Sequence, residues 1–273
     1  MSSAPHPFDQ ALQLEPLAPD RARGHTSAAY ANMVGPFGGI TAAVMLQAVL
    51  RHAARQGEPI ALTVNYAGPM ADGAFEVVAE VTRTNRSTQH WQMRIVQGEE
   101  IVATGSAVLA TRRETWSALE APFPAVPAAA SVEATPPIGR VRWTTAYDMR
   151  FVKGPMPRFG DQAMPQGDSE SLQWIRDEPP RALDFASLAA LCDVFFPRIF
   201  VHRPTEWVPI GTVTFTVYFH ADEAALGRVG TDHVLGHARA HQFRNGFFDQ
   251  AAQLWSASGE LLAVTHQIVY FKA

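Results

Sequence analysis

The chain has 273 residues, of which 47% are hydrophobic and 18% charged, and its formal net charge is −4 at pH 7. This composition is that of a globular protein with one large domain or two ordinary ones. With no block of like charges, a nucleic-acid backbone or an anionic membrane is excluded as the main partner. The single cysteine rules out an intramolecular disulfide, no run of 18 apolar residues predicts a membrane span, and no signal peptide is recognisable. We therefore expect a cytoplasmic protein.

The first half of the chain predicts one apolar helix followed by four strands. The helix runs from about Gly38 to Arg55, with Gly57 as a C-cap. Alternating apolar and polar residues then predict strands at 60–67, 75–84, 90–97 and 100–111.

The composition changes between Ser117 and Arg140, where five prolines stand among alanines. Such a segment is typical of an extended linker. We therefore predict an N-terminal domain at 1–118, a linker at 119–140 and a C-terminal domain at 141–273. The second half repeats the order of the first, with a helix at 183–200 and strands at 212–221, 233–243, 248–255 and 260–272.

The two halves also match residue by residue. The segment Gly98–Ala103 resembles Gly259–Ala263, and Thr63–Tyr66 resembles Thr216–Phe219. A period this long indicates a duplicated domain. The first helix is apolar almost all the way round, so a curved sheet must wrap it. We predict an α+β double-hotdog fold, in which two antiparallel sheets each wrap around a long central helix.

Asp193 is the one carboxylate in the apolar body of the predicted second helix. It shares a helical stripe with three alanines, which leaves room for a neighbouring backbone or a ligand. A buried carboxylate needs hydrogen-bond donors or a function, whereas an Asp at the fringe of the helix would simply reach solvent. Thr212 and Gln267 lie in two later strands, and their positions alone favour ordinary strand residues over functional ones.

In their order, these residues resemble the acyl-CoA thioesterase II (TesB-like) family of the double-hotdog thioesterases. The resemblance spans about residues 20–273. Its features are Phe37-Gly38-Gly39 at the helix start, Trp174-Ile175-Arg176, the helix with Asp193, Thr212 ahead of Tyr218-Phe219-His220, and the ending from Gly259 to Gln267. The family's Asp-His-Ser is replaced by Phe215-Thr216-Val217, so its acyl-chain preference does not carry over.

The resemblance implies hydrolysis of an acyl-CoA thioester to a free acid and CoA. Asp193, Thr212 and Gln267 would hold and activate the attacking water. The resemblance implies no metal, no cofactor apart from the coenzyme A of the substrate, and association into homodimers or homotetramers. The first helix has no evident counterpart of Asp193, which favours one working site.

The glycines at the start of the first helix suggest an oxyanion site. The first N–H groups of a helix have no internal partners and lie at its positive end. We expect the N–H of Gly38 or Gly39 to bind the thioester oxygen, and we expect Phe37, which precedes them, to contact the substrate as well. The alternative is that these glycines only let the helix start pass close to a strand.

Two other functional classes remain open on the same fold: an acyl-CoA-binding protein without turnover, and a hydratase or dehydratase. Cys192 lies among apolar residues within the predicted helix, which indicates that it packs in the core rather than acting as a nucleophile. Arg112 and Arg113 end a strand, where they contact either coenzyme A phosphates or solvent.

Three histidines recur every four residues, a spacing that suggests a metal site, but the alternation of the segment predicts a strand. Neighbouring members would then lie about 13 Å apart, too far to share one ion. They are His233, His237 and His241.

Overall fold

A computed structural model describes residues 5–158, 161, 168–205 and 208–272. Within these residues, thirteen strands form one antiparallel sheet that encloses two central helices. No helix of the described chain has the length and apolar character needed to cross a membrane.

In the first half, a short helix and two strands precede the central helix. They are α1 (Pro7–Ala11), β1 (Glu15–Ala18) and β2 (Arg21–His25), followed by the central helix α2 (Gly38–Leu50). Four long strands come next: β3 (Glu58–Tyr66), β4 (Ala74–Thr84), β5 (Thr88–Gln97) and β6 (Glu100–Ala110). The four strands predicted after the helix are confirmed, whereas β1 and β2 were missed.

The second half repeats this order with short helices added. Its elements are β7 (Tyr147–Lys153), β8 (Ser171–Asp177), α3 (Phe185–Leu191), α4 (Ile199–His202), β9 (Ile210–Phe219), α5 (Glu223–Val229), β10 (Val234–Arg239), β11 (Phe243–Arg244), β12 (Phe247–Trp255) and β13 (Leu261–Phe271).

The prediction of two separate sheets is corrected by the strand order, which is β1-β2-β4-β5-β6-β3-β9-β13-β12-β10-β8-β7, with β11 beside β12. Each half contributes the same order from its outer edge inward, and β3 pairs with β9 where the halves meet. Unpaired edge strands expose N–H and C=O groups. Joining the two inner edges satisfies those groups and makes one continuous sheet.

The junction between β3 and β9 relates the two halves by an approximate twofold axis. Thr63 pairs with Thr216, and their hydroxyl oxygens lie 3.1 Å apart. The same register pairs Leu62 with Val217 and Val64 with Phe215. Residues on the shared strands of one half therefore have identifiable counterparts in the other.

Helix α2 lies inside the sheet, as its composition requires. Residues 39–46 and Val49 are all buried. The helix is therefore surrounded by protein on nearly every side, and the burial of its apolar side chains stabilises it. It ends at Leu50, earlier than the predicted Arg55. The two central helices pack on each other, and one hydrophobic core spans both halves.

The second central helix is also shorter than predicted. Helix α3 ends at Leu191, and Cys192 is its C-cap. The N–H groups of Asp193 and Val194 bond to carbonyls only three residues back, and Pro197 has no N–H with which to continue a helix. Asp193 therefore lies in the turn after α3, not in the body of a helix.

The proline-rich segment after β6 covers a row of apolar side chains on the outer face of the second half. Trp174, Leu235 and Trp255 lie side by side on β8, β10 and β12. Phe123 packs edge-on against Trp255, and the indole N–H of Trp174 donates to the carbonyl of Pro127 at 2.9 Å. The segment is extended, as its composition predicts. The domain limits at 118 and 141 stay a prediction.

Candidate active site

The three polar residues singled out in the sequence meet in the interior of the protein. Asp193 comes from the turn after α3, Thr212 from the start of β9 and Gln267 from the middle of β13. The hydroxyl of Thr212 donates to Oε1 of Gln267 at 3.1 Å, and the Gln267 side chain hydrogen-bonds the Asp193 carboxyl. Since Oε1 faces Thr212, the amide NH₂ of Gln267 is the group that faces Asp193.

A bulge in β9 brings Thr212 into this cluster. Phe215 and Val217 face the interior, so a regular strand would point Val213 inward and Thr212 outward. The register instead shifts by one residue, which leaves Val213 40% exposed and pairs Thr212 with Val269. The extra residue turns Thr212 to the face that carries Gln267.

The glycine pair at the start of α2 lies directly against Asp193. A Cβ atom on Gly38 would stand 2.7 Å from Oδ2 of Asp193, and one on Gly39 would stand 2.7 Å from the carbonyl oxygen of Ala190. The Gly39 N–H donates to the Asp193 carboxyl. Both glycines thus let the start of α2 approach the end of α3 closely, and Gly38 also lies against Tyr66 of strand β3.

The ionisation of Asp193 is strongly perturbed. Burial raises the pKa of its carboxyl to about 7, although the hydrogen bonds from Gln267 and the Gly39 N–H lower it. A carboxyl in this range exchanges a proton near neutral pH, which suits a general base. The remaining members of the cluster, Thr212 and Gln267, cannot titrate near neutral pH and can only position.

Tyr66 is a site residue that the sequence analysis missed. Its hydroxyl donates to the carbonyl of Gly38 at 2.8 Å. Burial, together with the nearby Asp193 carboxyl, raises the pKa of Tyr66 well above its ordinary value, so the hydroxyl keeps its proton. No sequence signal identifies this role, because the contact joins the end of β3 to the start of α2.

Phe37 supports the helix start by packing. Its ring stacks on Trp143 with centroids 4.3 Å apart, and Tyr147 contacts both rings edge-on. Phe37 is buried. Its predicted contact with a substrate stays a prediction.

The contacts of Arg112 and Cys192 indicate structural roles for both residues. The Arg112 guanidinium donates to the carbonyls of Pro59, Phe219 and His220, so this side chain ties the two halves together. Cys192 is fully buried, and burial beside Asp193 raises the pKa of its thiol well above the ordinary value. These features favour packing over nucleophilic chemistry.

The three histidines around β10 do not form a common site. Each contacts a different carboxylate: His233 contacts Asp148 at 3.0 Å, His237 contacts Glu170 at 2.7 Å, and His241 contacts Asp249 at 2.5 Å.

The sheet register identifies the corresponding strand positions in the first half. Ala107 of β6 lies opposite Leu62, as Gln267 lies opposite Phe215. Pro59 corresponds in the same way to Thr212, since each lies just before a bulged residue. Neither Ala107 nor Pro59 has a side chain that can hold a water molecule.

Comparison with known proteins gives matches over most of the chain. A family model described as the acyl-CoA thioesterase C-terminal domain matches residues 123–271, and one described as the acyl-CoA thioesterase N-terminal domain matches residues 27–110. No curated protein is similar enough to match.

Among solved structures, a conserved protein of unknown function with a hot dog fold from Alicyclobacillus acidocaldarius is 47% identical. The match covers 99% of both chains, with a TM-score of 0.92. A putative thioesterase II from Thermobifida fusca YX is 18% identical, covering 97% of both chains at a TM-score of 0.80. Acyl-CoA thioesterase II TesB2 from Mycobacterium marinum is 19% identical, covering 97% of this chain and 98% of that one at 0.78. At these lower identities the likeness shows the fold alone.

Proposed function

We propose, from the premise that the chain belongs to the acyl-CoA thioesterase family, that Asp193, Thr212 and Gln267 form its one active site. The chain is a thioester hydrolase. The observation that carries the proposal is the hydrogen-bonded row from Thr212 through Gln267 to Asp193, buried beside the start of α2. We also infer that the two halves are two hotdog units, so that the chain is a double hotdog with a shared central pairing.

In this proposal Asp193 is the general base. A water molecule held by Thr212, Gln267 and Asp193 attacks the thioester carbonyl carbon while Asp193 accepts its proton. The tetrahedral intermediate then collapses, the carbon–sulfur bond breaks, and CoA leaves as a thiolate that takes up a proton. Thiolate is a good leaving group, so orienting and deprotonating the water is the main task of the site.

The two glycine N–H groups would divide the remaining work. The Gly39 N–H donates to Asp193 and is therefore committed to the base. The Gly38 N–H, the first of α2, has no acceptor among the described residues. We assign the thioester oxygen to this group, where the positive end of the helix stabilises the developing charge.

The substrate class follows from the family: an acyl-CoA thioester. Thiol release from a panel of acyl-CoAs of graded length tests the proposal, with wild type beside Asp193→Ala and Gln267→Ala. Gln253→Ala, on the outward-facing side of neighbouring β12, is the matched control. We expect turnover by wild type and control, and loss in both site variants while they remain folded.

Other outcomes of this assay would point to another function. A change in enoyl absorbance without thiol release would indicate a hydratase or dehydratase. Bound acyl-CoA that is never cleaved would indicate a binding protein. Turnover that survives both changes would keep the enzyme class but reject these residues.

The proposal also covers the location and the assembly of the protein. From the resemblance, we propose that the protein is cytoplasmic and that it forms homodimers or homotetramers. Light scattering of the purified protein measures the number of chains directly.

A further inference from the structure

A second polar cluster lies on the outer face of the sheet. It combines His241, which follows β10, with Asp249 of β12 and His266 of β13. Nδ1 of His241 lies 2.5 Å from Oδ2 of Asp249, and Nε2 of His266 lies 3.1 Å from the same oxygen. One donor atom from each of the three residues falls within 4.8 Å of the others.

The carboxylate of Asp249 is fixed before any ligand arrives. Its other oxygen, Oδ1, accepts the backbone N–H groups of His241 and Gln242, both at 2.9 Å. The second oxygen, Oδ2, is thereby held between the two imidazoles.

The two histidines are placed to admit an ion from solvent. The Asp249 side chain is only 12% exposed, whereas those of His241 and His266 are 51% and 56% exposed. Both imidazoles can therefore turn outward, by about 1 Å for His241 and by less for His266, which is the adjustment that metal–ligand bonds of about 2.0–2.2 Å require. Solvent reaches the open side of the cluster, which provides the entry path.

We propose that His241, Asp249 and His266 bind a divalent transition-metal ion. The ligands would be two imidazole nitrogens and one carboxylate oxygen, with water completing the coordination. Imidazole with carboxylate suits Zn²⁺ and its neighbours in the first transition row. The ring nitrogens that now face Oδ2 would bind the ion through their lone pairs, with the single proton of each neutral imidazole on its other ring nitrogen.

The sequence pattern indicated no metal because it offered only His233, His237 and His241. Asp249 and His266 lie on other strands, and only the pairing of β12 with β13 brings them to His241.

The cluster is separate from the proposed active site. His266 precedes Gln267 in β13, and consecutive strand residues point to opposite faces. His266 is exposed and Gln267 buried. An ion at this position would contact no catalytic group, and it would tie the β10–β11 turn to β12 and β13. Its effect is therefore expected on stability rather than turnover.

Calorimetric titration of untagged, chelator-treated protein with Zn²⁺ tests the proposal. We expect one Zn²⁺ per chain, a rise in melting temperature that EDTA reverses, and a visible absorption band when Co²⁺ is the probe. Asp249→Asn should weaken Zn²⁺ binding by at least about tenfold and abolish the thermal shift. His237→Gln is the matched control, because His237 also lies beside a carboxylate, that of Glu170, but outside the cluster. This variant should bind Zn²⁺ as wild type does.

The exposed position of His266 provides a second variant that does not depend on the fold tolerating Asp249→Asn. His266→Gln should lose Zn²⁺ affinity in the same way. Absence of saturable binding in wild type, or equal binding by wild type and His266→Gln, would overturn the proposal. Neither result would bear on thioester hydrolysis, which the thiol-release assay measures separately.

Discussion

The two halves of the chain share a scaffold but not its chemistry. Their strand orders are the same, and the register at Thr63 and Thr216 relates them residue by residue. Yet Gln267 has Ala107 as its counterpart, and Thr212 has Pro59. The comparison teaches that the duplicated fold sets the positions, while a few side chains decide which of the two positions can work.

The helix starts extend this contrast. Tyr66 and Phe219 are counterparts, and each contacts the first residue of a central helix: Tyr66 contacts Gly38, and Phe219 packs edge-on against Phe185 at 5.7 Å. Where the first half has the open backbone of Gly38, the second half has a phenyl ring. The Phe185 ring stands where the first half has only the backbone of Gly38, which favours a single substrate site beside Gly38.

The proposed general base, Asp193, also has no counterpart in the first half when residues are counted from the start of each central helix. Asp193 lies eight residues after Phe185, and Leu46 lies eight residues after Gly38. Leu46 is fully buried and apolar. The proposed site therefore combines backbone donors of the first half with side chains of the second.

Among the substitutions that test the contrast between the helix starts and between the strands, the largest effect is expected from Gly38→Ala. The new Cβ would stand 2.7 Å from Oδ2 of Asp193 and 3.2 Å from the Tyr66 hydroxyl. Displacing the base by a fraction of an ångström should lower kcat/KM about 100-fold. Gly68→Ala, which meets nothing within 4 Å, is the control. Thiol release that is the same for both would break the contrast between the helix starts.

A smaller effect is expected from Thr212→Val, which keeps the shape and removes the hydroxyl. The Oε1 atom of Gln267 would lose its donor, so the amide would be held less firmly. Loss of one such hydrogen bond corresponds to about a tenfold decrease in kcat/KM. Thr214→Val, on the outward face of the same strand, should turn over as wild type does. Equal rates for the two variants would contradict the assigned role of the bulge.

The Asp193 carboxyl should also make stability depend on pH. Its pKa rises from 3.8 to about 7 on folding, with burial as the main cause. Between about pH 4 and 7 the folded state holds a proton that the unfolded state releases, so stability falls as the pH rises through this range. At pH 8 Asp193→Asn, which cannot ionise, should be more stable than wild type by up to about 4 kcal/mol.

Urea unfolding at pH 5 and pH 8 measures this difference. The gain should shrink at pH 5, where the wild-type carboxyl is protonated when folded. Asp249→Asn is a control of opposite sign, because the pKa of Asp249 is lowered and its replacement should destabilise at pH 8. A stability difference between wild type and Asp193→Asn that does not vary with pH would contradict the buried, raised-pKa carboxyl.

The smallest effect is expected in the other half. Pro59→Thr restores the hydroxyl of Thr212 at the corresponding position, but Ala107 and Leu46 supply neither an amide nor a base. The rate of turnover should stay within about twofold of the wild-type rate, because a substitution at a distant position with no shared contacts is not coupled to the proposed site. A clear change in kcat would show that the second position takes part in the reaction.

The sequence predicts the strands because their signal is local: alternation identifies β9 and β13. The candidate site residues Asp193, Thr212 and Gln267 come from the resemblance instead, since Thr212 and Gln267 on their own fit ordinary strand positions. Three features escape this reasoning. The bulge at Val213 depends on partner strands, the junction of β3 with β9 joins residues 153 positions apart in sequence, and β1 has only exposed residues with no alternation to detect.

The boundary of the second helix was wrong for a different reason. Apolar residues continue past Leu191, so hydrophobicity alone extends the helix to residue 200. Pro197 is the signal that argues against this extension. Giving it more weight would have placed Asp193 nearer a helix end, which is where the structure has it.

Residual turnover of Asp193→Asn tests the central claim most directly. Thiol release at saturating acyl-CoA would be measured for wild type and for this near-isosteric variant, with unfolding curves to show that both are folded. One working site predicts a decrease in kcat of about 10²–10⁴-fold. A variant that keeps about half of the wild-type rate would show that the second position also works, and one that keeps all of it would exclude Asp193 as the base.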